Sequence, residues 1–282
     1  MNKKKVTKIL TTCLMSLFVI GMAHITVHAE TVYETEPNDS RETAELIEAN
    51  KETPSGTIDG SRTGQFVVKG YSSTDDADWF KVYLDAGTNY FTCNDNPFNY
   101  TIEDESGNII LKDRYEKGGF GPTAFEFYTP SSGYYYIQIR GIISTQKSYI
   151  FLVGSPNYAV TKCEIPCREG KINMTSSGGT QTAHFDADVL SNLPEDAIAF
   201  SVALDGLRSS SVGTARLTNE NSGTSFSLNY YTWSKDKLLS MNLPVKSTWT
   251  AKLGFKTVTS FTPVLRVNFV YPIYNTMVEE VY

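Results

Sequence analysis

The sequence predicts an all-β chain that folds as two β-sandwich domains. Most of its 282 residues fall in short runs rich in aromatic and β-branched side chains that alternate between apolar and polar, which is typical of strands. Clusters of Gly, Pro, Ser and Asn separate these runs, as turns would. The strand pattern stops near Ser155-Pro156-Asn157 and then resumes, so we expect a first domain at 30–155 and a second at 156–282.

The first 29 residues are typical of a secretory signal peptide. Lysines near the N-terminus precede a largely apolar stretch at 9–23, and small residues follow up to Ala29. The apolar stretch is shorter than the roughly 20 residues that a membrane-spanning helix needs. We therefore predict a protein that is secreted to the extracellular space and does not insert into membranes.

Acidic residues outnumber basic ones, and export would increase the difference. The formal net charge is −6, and removal of a leader with four lysines and no acids would take it to −10. Binding to nucleic acids and anionic membranes depends mainly on Lys and Arg. We expect cations and basic or neutral polymers as partners, no nucleic acid, and leave the oligomeric state open.

The first domain contains one helical pattern and several strand patterns. The helical pattern runs over 40–49, with Asp39 and Ser40 as capping residues and Ala44, Leu46 and Ile47 on one face. Within the strand pattern at 99–111, the Ser106-Gly107-Asn108 turn predicts a hairpin, since glycine can adopt a positive φ. The predicted strands are 78–84, 99–111, 125–128, 134–140 and 148–154.

The second domain shows the same alternation without an acidic opening of its own. Its aromatic residues Tyr230, Tyr231, Trp233 and Trp249 fit either a sandwich core or a carbohydrate-binding groove. The sequence leaves both interpretations open. The predicted strands are 182–189, 198–204, 213–217, 225–231, 249–255 and 264–271.

Few cysteines and histidines remain once the leader is removed. In an oxidising compartment Cys163 and Cys167 of the CEIPC motif could close a small disulfide loop, which would leave Cys93 free and buried. The second cysteine pair of a zinc site is missing. His184 has no nucleophile motif nearby, so we interpret it as a residue on the polar face of a strand.

Two clusters of oxygen-bearing side chains lie about 40 residues apart in the first domain. In the first cluster the spacing is i, i+2, i+4 and i+5, and alternate residues of an extended chain share a face. Calcium takes six to eight oxygen ligands, so the clusters together suit a calcium site, while a solvated acidic linker is the alternative. The clusters are Glu34, Glu36, Asn38 and Asp39, and Asp75, Asp76 and Asp78.

Motifs in the first domain also follow one another in a familiar order. The segments ETEPNDS, SGTI, DDADWFKVYLDAGTNY, DESGN and SGYYYIQIRG resemble the bacterial pre-peptidase C-terminal domain, related to the collagen-binding domains of clostridial collagenases, over about 33–155. The resemblance implies a jelly-roll-like sandwich with a structural calcium ion. An insertion at 59–74 relative to that family bears on whether Asp75 reaches the ion. The calcium ligands that the resemblance implies are Glu34, Glu36, Asn38, Asp39, Asp75 and Asp78.

Three consecutive tyrosines begin the strand pattern at 134–140. By alternation Tyr135 points away from Tyr134 and Tyr136, and Arg140 lies on the side of the latter two. The resemblance implies that Tyr134, Tyr136 and Arg140 bind a partner polymer such as collagen. The alternative is that these tyrosines only cover the sandwich.

The function predicted from the sequence is therefore non-catalytic. We expect a secreted, calcium-stabilised binding or accessory protein that attaches to a collagen-like polymer, a polysaccharide or a secreted enzyme, with no catalytic residues. The alternative is a glycosidase-like hydrolase that uses paired carboxylates in the C-terminal domain. The candidate acids in that domain are Asp186 and Asp188, and a second possible group, Glu103, Asp104 and Glu105, flanks a turn of the first domain.

Overall fold

The computed structural model describes residues 29–116 and 121–273. Apart from Ala29, the predicted signal peptide lies outside these residues. Nearly all of the described secondary structure is β, which confirms the predicted fold class. A single α-helix, α1 (Pro54–Asp59), and three short 3-10 turns interrupt the strands of the described chain.

The N-terminal sandwich consists of two five-stranded sheets, with the orders β1-β3-β10-β5-β8 and β2-β4-β9-β6-β7. Among themselves the eight strands β3 to β10 pair antiparallel, and their orders 3-10-5-8 and 4-9-6-7 define a jelly roll. Two short strands extend the sheets: β1 pairs in parallel with β3, and β2 pairs in parallel with β4. The strands are β1 (Glu30–Tyr33), β2 (Glu45–Ile47), β3 (Phe66–Ser72), β4 (Ala77–Leu84), β5 (Gly87–Asp95), β6 (Phe98–Asp104), β7 (Ile109–Tyr115), β8 (Thr123–Thr129), β9 (Gly133–Gly141) and β10 (Lys147–Gly154).

Aromatic side chains fill the core between these two sheets. Phe80 of β4 packs edge-on against Phe151 of β10, with ring centroids 5.2 Å apart. Phe91 of β5 lies against Tyr100 of β6 at 4.6 Å. Such pairs add about 0.5–1.5 kcal/mol each to the free energy gained by burying the rings. The inward position of these aromatic residues follows from the alternation that predicted the strands.

The C-terminal sandwich is formed by the sheets β11-β21-β14-β17 and β13-β19-β15-β16, with β18 beside β14 and a separate β12-β20 ribbon. Its core is mainly aliphatic around the fully buried Trp249, and it shares no residue with the N-terminal core. The strands are β11 (Tyr158–Pro166), β12 (Ile172–Met174), β13 (Thr180–Asp186), β14 (Ile198–Asp205), β15 (Val212–Asn219), β16 (Thr224–Ser227), β17 (Ser234–Asp236), β18 (Leu243–Pro244), β19 (Thr248–Phe255), β20 (Thr259–Phe261) and β21 (Val264–Pro272). The expected domain boundary after residue 155 stays a prediction.

A buried carboxylate ties α1 to the start of the C-terminal sandwich. The Glu52 carboxylate, whose side chain is fully buried, accepts hydrogen bonds from Arg62 at 2.8 Å and from Thr57 at 2.8 Å. Arg62 also donates to the backbone oxygen of Tyr158 at 3.0 Å. Since Tyr158 begins β11, this network connects the two sandwiches through an ion pair between the buried Glu52 and the partly exposed Arg62.

The predicted helix at 40–49 is wrong. Residues Arg41–Thr43 form a 3-10 turn, and β2 follows in its place, with Glu45 and Ile47 in parallel register with Phe80 and Val82 of β4. Pairing with β4 buries Ile47 and leaves Leu46 exposed, so alternation and not helical periodicity sets the burial. Three residues are too few for a strand to be recognised from its pattern.

The disulfide loop in CEIPC is not formed. Residues 163–166 belong to β11 and pair in register with Val267 to Val264 of β21. At the rise of a strand the Cα atoms of Cys163 and Pro166 are about 10 Å apart, and Cys167 follows Pro166. A disulfide needs Cα atoms less than about 7 Å apart. Cys163 and Cys167 are free thiols, and Cys93 is free and buried, as expected.

Candidate metal centre

The acidic centre forms where the N-terminal segment crosses the loop between β3 and β4. Glu34 continues the register of β1, since its backbone N–H donates to the Lys69 oxygen at 2.9 Å. Four residues later the backbone oxygen of Asn38 accepts a hydrogen bond from the Trp79 backbone N–H at 2.8 Å. The segment 34–38 therefore passes from one sheet to the other and brings its side chains to the start of β4.

Three carboxylates meet at this crossing. Each of Glu36, Asp76 and Asp78 places one oxygen within 4.8 Å of the other two. Calcium binds oxygen at roughly 2.3–2.6 Å, so oxygens at such separations can all contact one ion. Asp76 and Asp78 share a face because they are alternate residues entering β4.

Two neighbouring side chains are buried without partners. Both carboxylate oxygens of Asp78 and both polar atoms of the Asn38 amide lack a hydrogen bond, and both residues have 0% exposure. An unsatisfied buried polar group costs about 1–3 kcal/mol, and more when it is charged. Carboxylate and amide oxygens are the ligands of hard cations, so this donor set fits a bound calcium ion.

Glu34 holds the segment in place through donors of the protein itself. One carboxylate oxygen accepts from the Tyr71 N–H at 2.6 Å, and the other accepts from the Tyr149 hydroxyl. Gly70 makes this approach possible, because a Cβ at that position would lie 2.2 Å from Glu34 Oε2. Glu34 therefore anchors the acidic segment beside the three-carboxylate group.

Burial and mutual repulsion raise the pKa values of this centre. Burial first, and then the charge of Glu34, raise the pKa of Asp78 from 3.8 to about 8. Burial also raises the pKa of Glu34, against the lowering effect of the Tyr149 hydroxyl. Without a cation, Asp78 consequently holds a proton near neutral pH, and a cation would displace it.

The structure brings together some of the nominated ligands and not others. Asp39 and Asp75 are exposed and lie outside the three-carboxylate group. The Asp75 N–H donates to Ser73 Oγ at 3.3 Å within the β3–β4 loop. Asp76 takes the position expected for Asp75, and the two-residue alternation with Asp78 is the sequence signal that identifies it.

The predicted polymer-binding residues lie on the outer face of β9. Tyr134 is 37% exposed and packs edge-on against Tyr83 of β4, with centroids 5.5 Å apart. Lys81 Nζ lies 4.4 Å from the centre of the Tyr134 ring. Tyr135 is buried, and Arg140 is exposed on the side of Tyr134 and Tyr136, donating to the Thr74 oxygen at 2.9 Å.

Arg41 connects the end of the acidic segment to this face. Its guanidinium lies 4.2 Å from the centre of the Tyr136 ring and 3.7 Å from the Glu103 carboxylate. It also donates to the backbone oxygens of Asp104 and Glu105, both at 2.7 Å. These contacts fix the residues that follow the acidic segment against the β6–β7 turn.

Of the two candidate acids in the second domain, Asp186 is engaged in structural contacts and Asp188 is exposed. Asp186 accepts hydrogen bonds from Arg168 at 3.3 Å and from the Thr248 hydroxyl at 3.2 Å. Asp188 lies in the 3-10 turn after β13 and not on the strand. In the aromatic set, Trp233 and Trp249 are buried in the core, whereas Tyr231 is 82% exposed.

No family model matches the chain, and no curated protein sequence matches it either. Among solved structures, a candidate secreted protein from Eubacterium rectale is 12% identical and has a TM-score of 0.52, with 88% of this chain and 90% of that chain covered. At this identity the likeness shows the fold alone, a chain of β-sandwiches. The part of the chain that the structure describes contains no helix long and apolar enough to span a membrane.

Other solved structures are less similar. The pre-peptidase C-terminal domain of a collagenase from Bacillus anthracis is 15% identical, with a TM-score of 0.28, 43% of this chain covered and 99% of that domain. A tandem of carbohydrate-binding modules from a Paenibacillus barcinonensis xylanase is 9% identical, with a TM-score of 0.21, covering 75% of this chain and 80% of that one. Both scores are low, so membership of the pre-peptidase C-terminal family stays a prediction.

Proposed function

We propose that this chain is a secreted, non-catalytic binding or accessory protein whose N-terminal sandwich is a pre-peptidase C-terminal-like module stabilised by calcium. The order of the sequence motifs and the jelly-roll topology of β3 to β10 support this proposal. The partner is an extracellular polymer or protein that lies against the outer face of β4 and β9.

The observation that carries the proposal is the pair of unpartnered buried side chains beside the acidic group. Asp78 and Asn38 place several polar atoms out of contact with water and without hydrogen bonds. Glu36 and Asp76 add two more carboxylates at the same point. Calcium supplies the missing partner for the oxygens, neutralises the repulsion and fixes the N-terminal segment to the jelly roll.

Calcium binding is tested by calorimetric titration of the metal-free full chain, together with thermal unfolding in calcium and in chelator. We expect saturable binding and a higher Tm in calcium, since a ligand at about 100 times its Kd adds about 2.7 kcal/mol of stability. D78N should abolish both effects, whereas D85N, at an exposed aspartate of the same sandwich, should retain them. Equal binding by the two variants would overturn the proposal.

The proposed binding face is tested by cosedimentation with collagen fibrils and with insoluble cellulose. Tyr134 and Tyr83 combine apolar area with a hydroxyl, which suits contact with an extended polymer. Y134A/Y136A should weaken sedimentation with the bound polymer by about tenfold, whereas Y128A should not, since Tyr128 is 65% exposed on the opposite sheet. Failure of both polymers to retain the wild-type chain would exclude them as partners.

A further inference from the structure

The outer face of the sheet β13-β19-β15-β16 carries a basic pair at its centre. Lys252 of β19 lies directly opposite Arg216 of β15 in the antiparallel register, and both side chains are exposed. Their strands are central in the sheet, and the flanking residues on the same cross-strand row are Thr182 and Ser227. A short hydroxyl side chain therefore flanks the basic pair on each side of its row.

This pairing of like charges is unfavourable for stability by itself. Residues directly opposite on antiparallel strands have Cβ atoms about 4.5–5.5 Å apart, and like charges there repel. Among the described residues, neither Lys252 nor Arg216 makes an ion pair or a side-chain hydrogen bond. In a chain with an excess of acids, two adjacent cations without an acidic partner form a local anion-binding surface.

The next row of the same face runs from His184, which is paired with Glu169, to the hydroxyl groups of Thr250, Thr218 and Ser225. Thr250 of β19 pairs with Thr218 of β15, and Thr218 Oγ1 lies 2.7 Å from Ser225 Oγ of β16. Gly254, two residues beyond Lys252 on β19, has no side chain, and a Cβ there would lie 2.5 Å from Thr214 Oγ1. The floor around the basic pair is consequently flat and polar, with donors and acceptors at the spacing of neighbouring strands.

We propose that this face, which we call the Lys252/Arg216 face, binds an acidic polysaccharide whose sugars carry carboxylate groups. Arg216 can bind a carboxylate through two parallel hydrogen bonds, and Lys252 adds a second cation beside it. The Thr and Ser rows offer partners to sugar hydroxyls, which an acidic peptide lacks. The acidic excess of the chain lies in residues 30–155, so a polyanion is repelled from the N-terminal sandwich and not from the C-terminal one.

The test is binding of the full chain to sodium polygalacturonate in calcium-free buffer, measured by calorimetry. R216Q/K252Q should weaken binding by about tenfold or more, because charge-assisted contacts are lost. The matched variant K162Q/R208Q removes the same charge at exposed residues elsewhere on the C-terminal sandwich and should bind like the wild type. Sodium chloride at high concentration should weaken wild-type binding through screening.

Three outcomes would overturn the assignment. They are no binding of polygalacturonate by the wild type, equal losses in the two double variants, and binding of poly-L-glutamate as tight as that of polygalacturonate. The Tm of R216Q/K252Q separates a binding role from a structural one, since relief of repulsion should leave Tm unchanged or raise it. Polygalacturonate binding by D78N should equal that of the wild type, because this face lies on the other sandwich and does not depend on the metal.

Discussion

Each sandwich of this protein buries an asparagine completely, and the two asparagines differ in their partners. Asn219 in the C-terminal sandwich donates to the Pro244 oxygen at 2.8 Å and accepts from the Ser222 N–H at 3.0 Å. Asn38 in the N-terminal sandwich has no partner for either amide atom. Both are at 0% exposure. Burial alone therefore does not mark a functional residue, whereas burial without a hydrogen-bonding partner calls for an explanation, which a cation beside Asn38 would supply.

The largest effect is expected where the buried network is complete. N219A should lower the free energy of unfolding of the C-terminal sandwich by roughly 2–4 kcal/mol, because Pro244 and Ser222 each lose a buried partner. The loss should be the same in calcium and in chelator, as measured by urea denaturation. N221A is the control, since the exposed Asn221 in the same turn should change stability by less than about 1 kcal/mol. A calcium-dependent loss for N219A would break the comparison.

The corresponding substitution at Asn38 should change stability only when calcium is present. N38A in chelator should change stability little, since it removes a group that has no partner to lose. In calcium it should lose most of the gain in stability that the wild type shows, on the order of 2 kcal/mol near saturation. Thermal unfolding in both conditions measures this difference. If N38A were as destabilising in chelator as in calcium, Asn38 would be a structural residue like Asn219.

The pH dependence of the metal-free protein should report the same centre. In the unfolded chain Asp78 titrates at its ordinary pKa of 3.8, whereas in the folded chain burial and the charge of Glu34 raise its pKa to about 8. Between these values the folded state holds a proton that the unfolded state has released. The free energy of unfolding should therefore fall as pH rises through this window, by up to about 1.4 kcal/mol per pH unit.

The measurement is Tm between pH 5 and 8.5 for protein freed of metal. D78N should show a flatter profile than the wild type, and saturating calcium should flatten the wild-type profile, since the ion holds the carboxylate in its charged form. An identical slope in D78N and wild type would mean that other groups cause the pH dependence.

Much of the fold was predictable because aromatic and β-branched residues alternate in its long antiparallel strands. The pattern at 134–140 identified β9, and the hairpin at Ser106-Gly107-Asn108 identified β6 and β7, with Gly107 at a φ of 84°. Strand β11 was missed because the CEIPC motif was interpreted as a disulfide loop. An edge strand tolerates proline such as Pro166, and within the described residues β11 pairs with β21 alone.

The candidate site was only partly predictable for a different reason. Glu36 and Asp78 could be nominated from composition and resemblance, but their meeting point depends on non-local pairing of β1 with β3 and of β2 with β4. The choice between Asp75 and Asp76 depends on the register in which β4 begins. The partners of Glu34, which are Tyr71 and Tyr149, lie 37 and 115 residues away in the chain, beyond any local pattern.

The smallest effect on stability is expected for substitution of Arg41, which lies just after the acidic segment. Arg41 follows Asn38 by three residues, yet its guanidinium is satisfied by the Asp104 and Glu105 oxygens and by the Tyr136 ring. R41A should therefore cost about 1 kcal/mol in calcium and in chelator alike, and R41K less, since lysine keeps the charge over the ring but loses the forked donors. Thermal unfolding of both variants measures the loss. A cost confined to calcium would place Arg41 with Asn38 as part of the metal centre, whereas an equal cost would place it with Asn219 as a structural residue.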